Sequence, residues 1–436
     1  MFTLTSSFAA QFAGGSGTPD DRYQIATAGQ LIAIGQDPNL WSKCFVLVAD
    51  IDLDPSLFGG RVFDDALIAP DQEPSPNGSR GVSFHGLLDG HGHKIRNLCM
   101  DVAPGLDAGL FGMLGPGSIV MDLHIEDAKV QGTPAGIVAG HCSGGLILNC
   151  SISGQVEGPN DVGGIIGATN SALLMQCDAN VTVVGQDQVG GLCGTLLKGQ
   201  IIDSSVKGTV TGRKAVGGVA RAIVFEAILS RTQVDATIIG IEQVGGLVGL
   251  CSGTIVESSA KGIVTGQEQV GGLIGLLSSG GSMHGTGVVR SASHCQLIGQ
   301  QEVGGLIGSA GLAGWPDSGP IIDCYARGSV IGNDAGGLIG RTAGILLVNC
   351  YTACRMAPAS SEDGLSSLGG LFGIIDTKYF NYHPLVIACF WDQELSGLVR
   401  STGGSGPELG EGLSTKQMKR YQTFNSAGWD MIGTWR

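Results

Sequence analysis

Apolar and polar residues alternate along residues 201 to 212, IIDSSVKGTVTG. Ile202, Ser204, Val206 and Val210 fall on one face, and Asp203, Ser205, Lys207, Thr209 and Thr211 on the other. A period of two marks a half-buried β-strand, and the repeated segments carry no helical spacing. Between such stretches a glycine-rich hexapeptide recurs, seen cleanly as VGGLVG at 244 to 249. Aligned on its second glycine, its copies stand at Gly109, Gly136, Gly164, Gly191, Gly218, Gly246, Gly272, Gly305, Gly337 and Gly370, 26 to 28 residues apart at first and 32 or 33 after Gly272. A period in this range signals a solenoid, propeller or array. At roughly 3.3 Å per strand residue, one repeat suffices for three short strands and three turns. The expected fold is therefore all-β, a single-stranded parallel β-helix (solenoid) of about ten coils.

The same register aligns one small residue per coil: Cys150, Cys177, Ser204, Thr232, Ser258, Ser291, Cys324, Cys350 and Cys389. Rungs roughly 4.8 Å apart on a packed interior row need small side chains. This reading places five of the twelve cysteines in the core. Stacked pairs such as Cys150 and Cys177 lie near enough to bridge, but a thiol is equally suited there as a small hydrophobe. No CxxC pair has zinc spacing, so no metal is expected.

Residues 1–83 do not repeat and are predicted to form an N-terminal capping module. Its helix, TAGQLIAIG, has Thr27 as N-cap, and FVLVADIDLD at 45 to 54 alternates as a strand. The β-helix proper is expected over residues 84–395. Residues 396–436 leave the repeat, and LSTKQMKRYQTF is predicted as a helix capped by Ser414 that closes the open edge of the solenoid.

At 436 residues the chain exceeds the usual globular domain, which a solenoid tolerates because each coil touches only its neighbours. The 75 glycines are then structural rather than a mark of low complexity. A formal charge of −14 without a basic stripe argues against nucleic acid, and no apolar run is long enough for a transmembrane helix. The first residues, MFTLTSSFAAQFAGG, lack the basic and apolar regions of a secretory leader.

Several strings together resemble the bacterial extracellular proteins built from GLUG repeats: YQIAT at 23 to 27, the DIDL strand, LLDGHGH at 87 to 93, the ten hexapeptides and FWD at 390 to 392. AGIVAG at 135 to 140 and VGGVAR at 216 to 221 depart from the pattern, with Arg221 in place of the last glycine. The resemblance implies β-helical segments, right-handed like other extracellular β-helices, of surface-associated or secreted proteins, including adhesin-like ones and some immunoglobulin A peptidases, in which the repeats are not the catalytic part. It also implies an extracellular or cell-surface location.

No catalytic residue or cofactor is expected. There is no HExxH, so the metallopeptidase activity of some such proteins does not reside here. GHG and KIR at 90 to 96 resemble fragments of polygalacturonase sites, but they fall in a coil that the family uses structurally. The late insertions gather Trp315, Asp317, Tyr379, Phe380, Tyr382 and His383. Exposed rings beside a carboxylate and an imidazole suit sugar stacking, so Trp315, Asp317, Tyr379, Tyr382 and His383 are the candidate ligand-binding residues. The competing reading is that these rings bury one another to hold long loops. His124, His141 and His294 are expected to face solvent. Asp161, Asp187, Glu242, Glu268, Glu302 and Asp334 recur before the hexapeptide as one corner row, read as a solvated edge rather than a calcium ladder because Lys214 interrupts it. The expected function is a non-enzymatic rod, adhesin-like or a surface spacer, presenting loops to an extracellular glycan or surface protein. The alternative is a polysaccharide lyase or glycoside hydrolase working in a groove formed by the late insertions.

Overall fold

A computed structural model describes residues 12–57, 60–71, 81–278, 287–311, 319–359, 366–376, 384–404 and 406–435. Each coil lays its strands beside those of the coils before and after it, all parallel, so the chain is a parallel β-helix. Four sheets run along it. Sheet I has 13 strands, from Tyr23–Ile25 to Leu385–Ile387, and sheet II has 14, ending with Glu411–Leu413. Sheets III and IV have ten and eight strands. At about 4.8 Å per rung, sheet I alone spans roughly 60 Å.

A coil therefore holds four strands, not three. One coil runs through Gln200–Ile202 in sheet I, Ser205–Thr211 in II, Lys214–Gly217 in IV and Ala220–Val224 in III. The difference lies in the hexapeptide, which is not a corner between strands but the end of one and the start of the next. VGGLVG closes Glu242–Gly245 and opens Val248–Cys251. Its glycines are demanded by contact. A Cβ on Gly249 would lie 2.7 Å from the Val216 nitrogen and 2.8 Å from the Gln243 carbonyl oxygen, so only a bare backbone lets sheet III approach sheet IV this closely. The apolar positions beside the glycines point inward: Leu247, Val248, Leu273 and Ile274 are completely buried. One apolar core runs without a break from Ile25 to Trp391.

The row of small residues lies inside, as the alternation requires, and it is hydrogen-bonded along the axis. Ser204 Oγ donates to the Ile202 carbonyl at 2.9 Å and accepts from the Cys177 amide at 3.2 Å. Ser258 and Ser291 repeat this pattern, and the Ser291 amide donates to Cys324 Sγ at 3.4 Å. The rungs thus satisfy peptide groups at a corner where the strand ladder is interrupted. All twelve cysteines are free thiols, ten of them buried. Burial pushes the thiols of Cys193, Cys251 and Cys354 up to about 12.

The residue before each rung makes the corner. Asn149, Asp203, Arg231, Glu257, Arg290 and Asn349 all have φ between 47° and 52°, the left-handed region that an L-residue enters at a cost. Their side chains point outward and bond in pairs between coils. Arg231 donates to both oxygens of Asp203 at 2.6 and 2.9 Å, and Arg290 donates to Glu257 at 2.9 Å. Asn349 donates to Asp323 at 3.1 Å.

The stack begins before residue 84. Tyr23–Ile25 and Cys44–Leu47 are the first two strands of sheet I, and Phe45, Phe84 and Phe111 follow one another inside at centroid distances of 6.4 and 4.9 Å. Helix Ala28–Gln36 starts at Thr27, whose Oγ1 accepts from the Gln30 amide at 3.3 Å. At the other end, Ser414 and Gln417 form a capping box on helix Thr415–Met418, and a second short helix spans Tyr421–Ser426.

Candidate functional site

The late-loop candidates Trp315, Asp317, Tyr379, Tyr382 and His383, with Phe380, all lie outside the described residues. The strings that resemble polygalacturonase fragments are bound into structure. Asp50, from the DIDL strand, accepts from His93 Nδ1 and from the Lys94 amide and pairs with Arg96 at 3.2 Å. Lys94 and Arg96 also hold Glu126, and these bonds keep both carboxyls below their usual range. A chain of ion pairs across three coils is a staple, and it leaves no free acid–base pair.

The acidic residues before the hexapeptides do not form one row. Asp187, Lys214, Glu242 and Glu268 align in sheet IV with Asn160 and Gln301. Asp161, Glu302 and Asp334 occupy the next position instead, and Asp161 and Glu302 are left-handed there, with their carboxylates on Thr195 and Arg341 of sheet III. Two rows read as one because the acidic residue shifts by one place between copies. In that second row burial raises the Asp161 carboxyl, while Thr195 bonds it at 3.3 Å. Arg221, where the other coils have glycine, sits half-buried near Asp161 and Asp187, and its own coil carries the small Ala215 in the second row. Arg341 similarly ties Glu302 to Asp376 at 2.9 and 2.8 Å. Among the described residues, no group of three or more His, Cys, Asp or Glu is placed to hold a metal ion.

His141 is half-buried rather than solvent-facing, on a sheet III strand where Met113 and Ala168 are its neighbours in register. Burial lowers its imidazole pKa against the opposing influence of Asp71.

The chemistry that the structure does bring together is at the C-terminal flank. In sheet II, Tyr325, Tyr351 and Phe390 align in consecutive coils on the outer face, and the Tyr325 and Tyr351 rings stack 5.0 Å apart at 4°. The C-terminal segment does more than extend the end of the solenoid. Its strand Glu411–Leu413 adds to the edge at Phe390–Asp392, and the helices then carry Phe424, Trp429 and Trp435 back onto this aromatic row. Phe424 and Trp429 are buried in a second, smaller core with Tyr351 and Phe390. Trp429 Nε1 donates to the Ala388 carbonyl at 3.0 Å, which fixes the ring.

Beside this core is a cavity of about 330 Å³. Its walls are aromatic and its rim is cationic, with Arg327, Lys419 and Arg420 among the lining residues and no carboxylate. Arg327 donates to the Tyr351 hydroxyl at 2.5 Å, and its guanidinium lies over the rings of Tyr325 and Tyr351 at 5.3 and 5.4 Å. Burial pushes the Tyr351 phenol up to about 12, so it remains a neutral donor and acceptor. His294 bonds the Tyr325 hydroxyl at 3.1 Å, and its pKa is lowered first by burial, then by Arg327 and Lys261. A larger cavity of about 670 Å³ near the N-terminal end is opposite in character, lined by Asp64, Asp101 and Glu157 without a cation.

Sequence reasoning located the closing helix and its cap but not this cavity. The available signal was compositional: KQMKRY at 416 to 421 is a dense basic string in an acidic chain, and two of the five tryptophans lie in the last eight residues. What was missing was the fold-back that sets them against Tyr325 and Tyr351, which are far away in sequence.

Parts of the chain are similar to known proteins. The chain is 32% identical over 151 residues to halomucin of Haloquadratum walsbyi, a match covering 34% of this chain and 2% of halomucin. It is 32% identical over 149 residues to a protein of Evansella cellulosilytica described as a Gly-rich membrane protein, covering 32% of this chain and 15% of that one. The chain thus spans a small part of both relatives. A crystal structure from Bacteroides ovatus, described as an immunoglobulin A1 protease, aligns over 88% of each chain at 18% identity and a TM-score of 0.40. The family model described as the GLUG motif matches residues 185–211, one full coil from the turn at Gly185 to the end of the sheet II strand at Thr211, so this β-helix carries the GLUG motif.

Proposed function

We propose that this chain is a non-enzymatic rod of a bacterial surface or secreted protein, adhesin-like, which holds a binding face for a glycan or protein away from the structure that carries it. The observation behind this reading is the unbroken core from Ile25 to Trp391. Coils that each contact only their neighbours build length and stiffness without building a closed active-site cleft. The GLUG motif and the two relatives, one named halomucin and the other as a membrane protein, support a place at the cell surface. No helix among the described residues is long and apolar enough to cross a membrane.

Two measurements test it. On intact cells expressing the protein, an antibody raised against the chain should label the surface, and external protease should remove that label. Labelling only after cell lysis would refute the location. The purified chain should also release no reducing ends and no unsaturated uronates from a panel of acidic and neutral polysaccharides. Reproducible turnover would replace the rod by a lyase or hydrolase.

A further inference from the structure

The cavity on the C-terminal flank has a chemistry that the rest of the molecule does not predict. The chain carries −14 overall, yet this cavity has three cations in its lining and no acid. Surface cations in such a protein usually face a carboxylate in the next coil, as Arg231, Arg290 and Lys261 do. Arg327, Lys419 and Arg420 have no carboxylate partner among the described residues. Leaving three positive groups together without counter-charge is unfavourable in the free protein, and an anion entering the cavity would relieve it.

The cations are set into an aromatic frame. Trp429 and Trp435 lie 4.5 Å apart, Tyr421 stands exposed at the rim, and Met418 and Met431 complete the apolar lining. Arg327 is pinned by the Tyr351 hydroxyl and by two ring faces, so its charge is positioned before any ligand arrives. The Trp435 indole N–H is buried beside the cavity and has no acceptor among the described residues, a donor that a bound oxygen could satisfy after a small shift of the ring. Rigid rings offer a flat apolar face, and the cations fix an anionic substituent at its edge. About 330 Å³ is at the lower end of small-molecule sites, which run from about 300 to 1,000 Å³, and suits one or two sugar rings.

We propose that this cavity is the binding site for an acidic saccharide, a sugar bearing a carboxylate or a sulfate group, with the ring stacked on Trp435 and Tyr421 and the anion held by Arg327, Lys419 and Arg420. An acidic peptide could meet the same cations, but it has no rigid flat face to match the rings. The proposal deepens the surface-rod reading and depends on it only for access to glycans. Binding by the purified chain can therefore fail while surface labelling succeeds, and the reverse.

The test is tryptophan fluorescence titration of the full chain with an oligogalacturonate, a chondroitin sulfate oligosaccharide, a neutral cello-oligosaccharide and an oligoglutamate peptide, confirmed by calorimetry. Saturable binding is expected for at least one of the two acidic saccharides, which decides between carboxylate and sulfate. It should be at least tenfold weaker for the neutral sugar and the peptide, and weaken further at high salt. The double variant Lys419→Gln with Arg420→Gln should lose at least tenfold in affinity with an unchanged melting temperature, because both side chains are exposed and Arg420 makes no side-chain cap bond to its helix. Trp435→Ala should also weaken binding. Equal affinity for neutral and acidic sugars, tighter binding of the peptide, an unaffected double variant or no saturation by either acidic saccharide would each overturn the proposal.

Discussion

The coil stack and the C-terminal flank are stabilised by opposite means. In the stack most positions repeat, and the side chains that matter most are the smallest: two or three glycines per hexapeptide and, from Cys150 on, one serine, threonine or cysteine per corner. In the flank nothing repeats, and the weight is carried by large unique rings that bury one another. The difference teaches where function can be placed on such a rod. A change inside a coil disturbs neighbours that were built to match it, whereas the outer face of sheet II accepted Tyr325, Tyr351 and Phe390 without altering the coil behind them. The ladder rungs Cys324, Cys350 and Cys389 stand directly before these rings in sequence, facing inward as the rungs of earlier coils do.

This contrast can be broken first at a glycine. A Cβ at Gly246 would fall inside van der Waals contact of the Gly272 carbonyl oxygen and 2.8 Å from the Ala260 Cβ. Backbone on one side and a packed side chain on the other leave no room to relax, so Gly246→Val should destabilise by more than about 4 kcal/mol and misfold the central coils. Its signature is chemical as well as thermal. Thiols that burial holds near 11 or 12, such as Cys193, Cys251 and Cys295, should react with an alkylating reagent at pH 8 without added denaturant. If this variant melts like the parent, close packing of the hexapeptide turn against the next coil and sheet II is not what Gly246 is for.

Removing a ring from the flank should be nearly as costly but local. Trp429→Ala deletes a buried indole and its bond to Ala388, a loss of about 3–5 kcal/mol on the scale of core truncations. It falls on the smaller core that Trp429 shares with Phe424 and Phe390. The helices should detach at a lower temperature than the coils melt, giving two transitions in calorimetry, and the interior thiols should stay unreactive after the first. A single transition would mean that the flank and the stack are one cooperative unit.

What the sequence disclosed follows the same division. Period-two alternation and the hexapeptide spacing revealed the coil, its inward face and the row through Ser204, because these patterns are repeated and a register error would turn every side chain to the wrong face. The fourth strand was hidden because a glycine pair looks like a corner whether it links two sheets at a wide angle or folds one strand close against the next. The acidic residues misled for a related reason: Asp161 and Asp187 occupy adjacent rows, and only the pairing of Asn160 with Asp187 shows it. The cavity was least legible, since Arg327 and Arg420 meet through a fold-back that no local period encodes.

The smallest effect should come from the ladder, and it separates packing from hydrogen bonding inside the stack. Ser204 has two partners, the Ile202 carbonyl and the Cys177 amide; in Ser204→Ala the carbonyl keeps its bond from the Gln176 amide, but the buried Cys177 N–H is left without an acceptor, which should cost about 1–3 kcal/mol. Ser204→Cys keeps both roles in weaker form, as Cys324 does when it accepts from the Ser291 amide and donates to the Ile322 carbonyl. It should therefore recover most of what alanine loses. The row mixes Cys, Ser and Thr along its length, which is what a position selected for a small donor and acceptor would show, and alanine is absent from it. Denaturant melts of the two variants decide the matter: if alanine equals or exceeds cysteine in stability, the rungs are chosen for size alone.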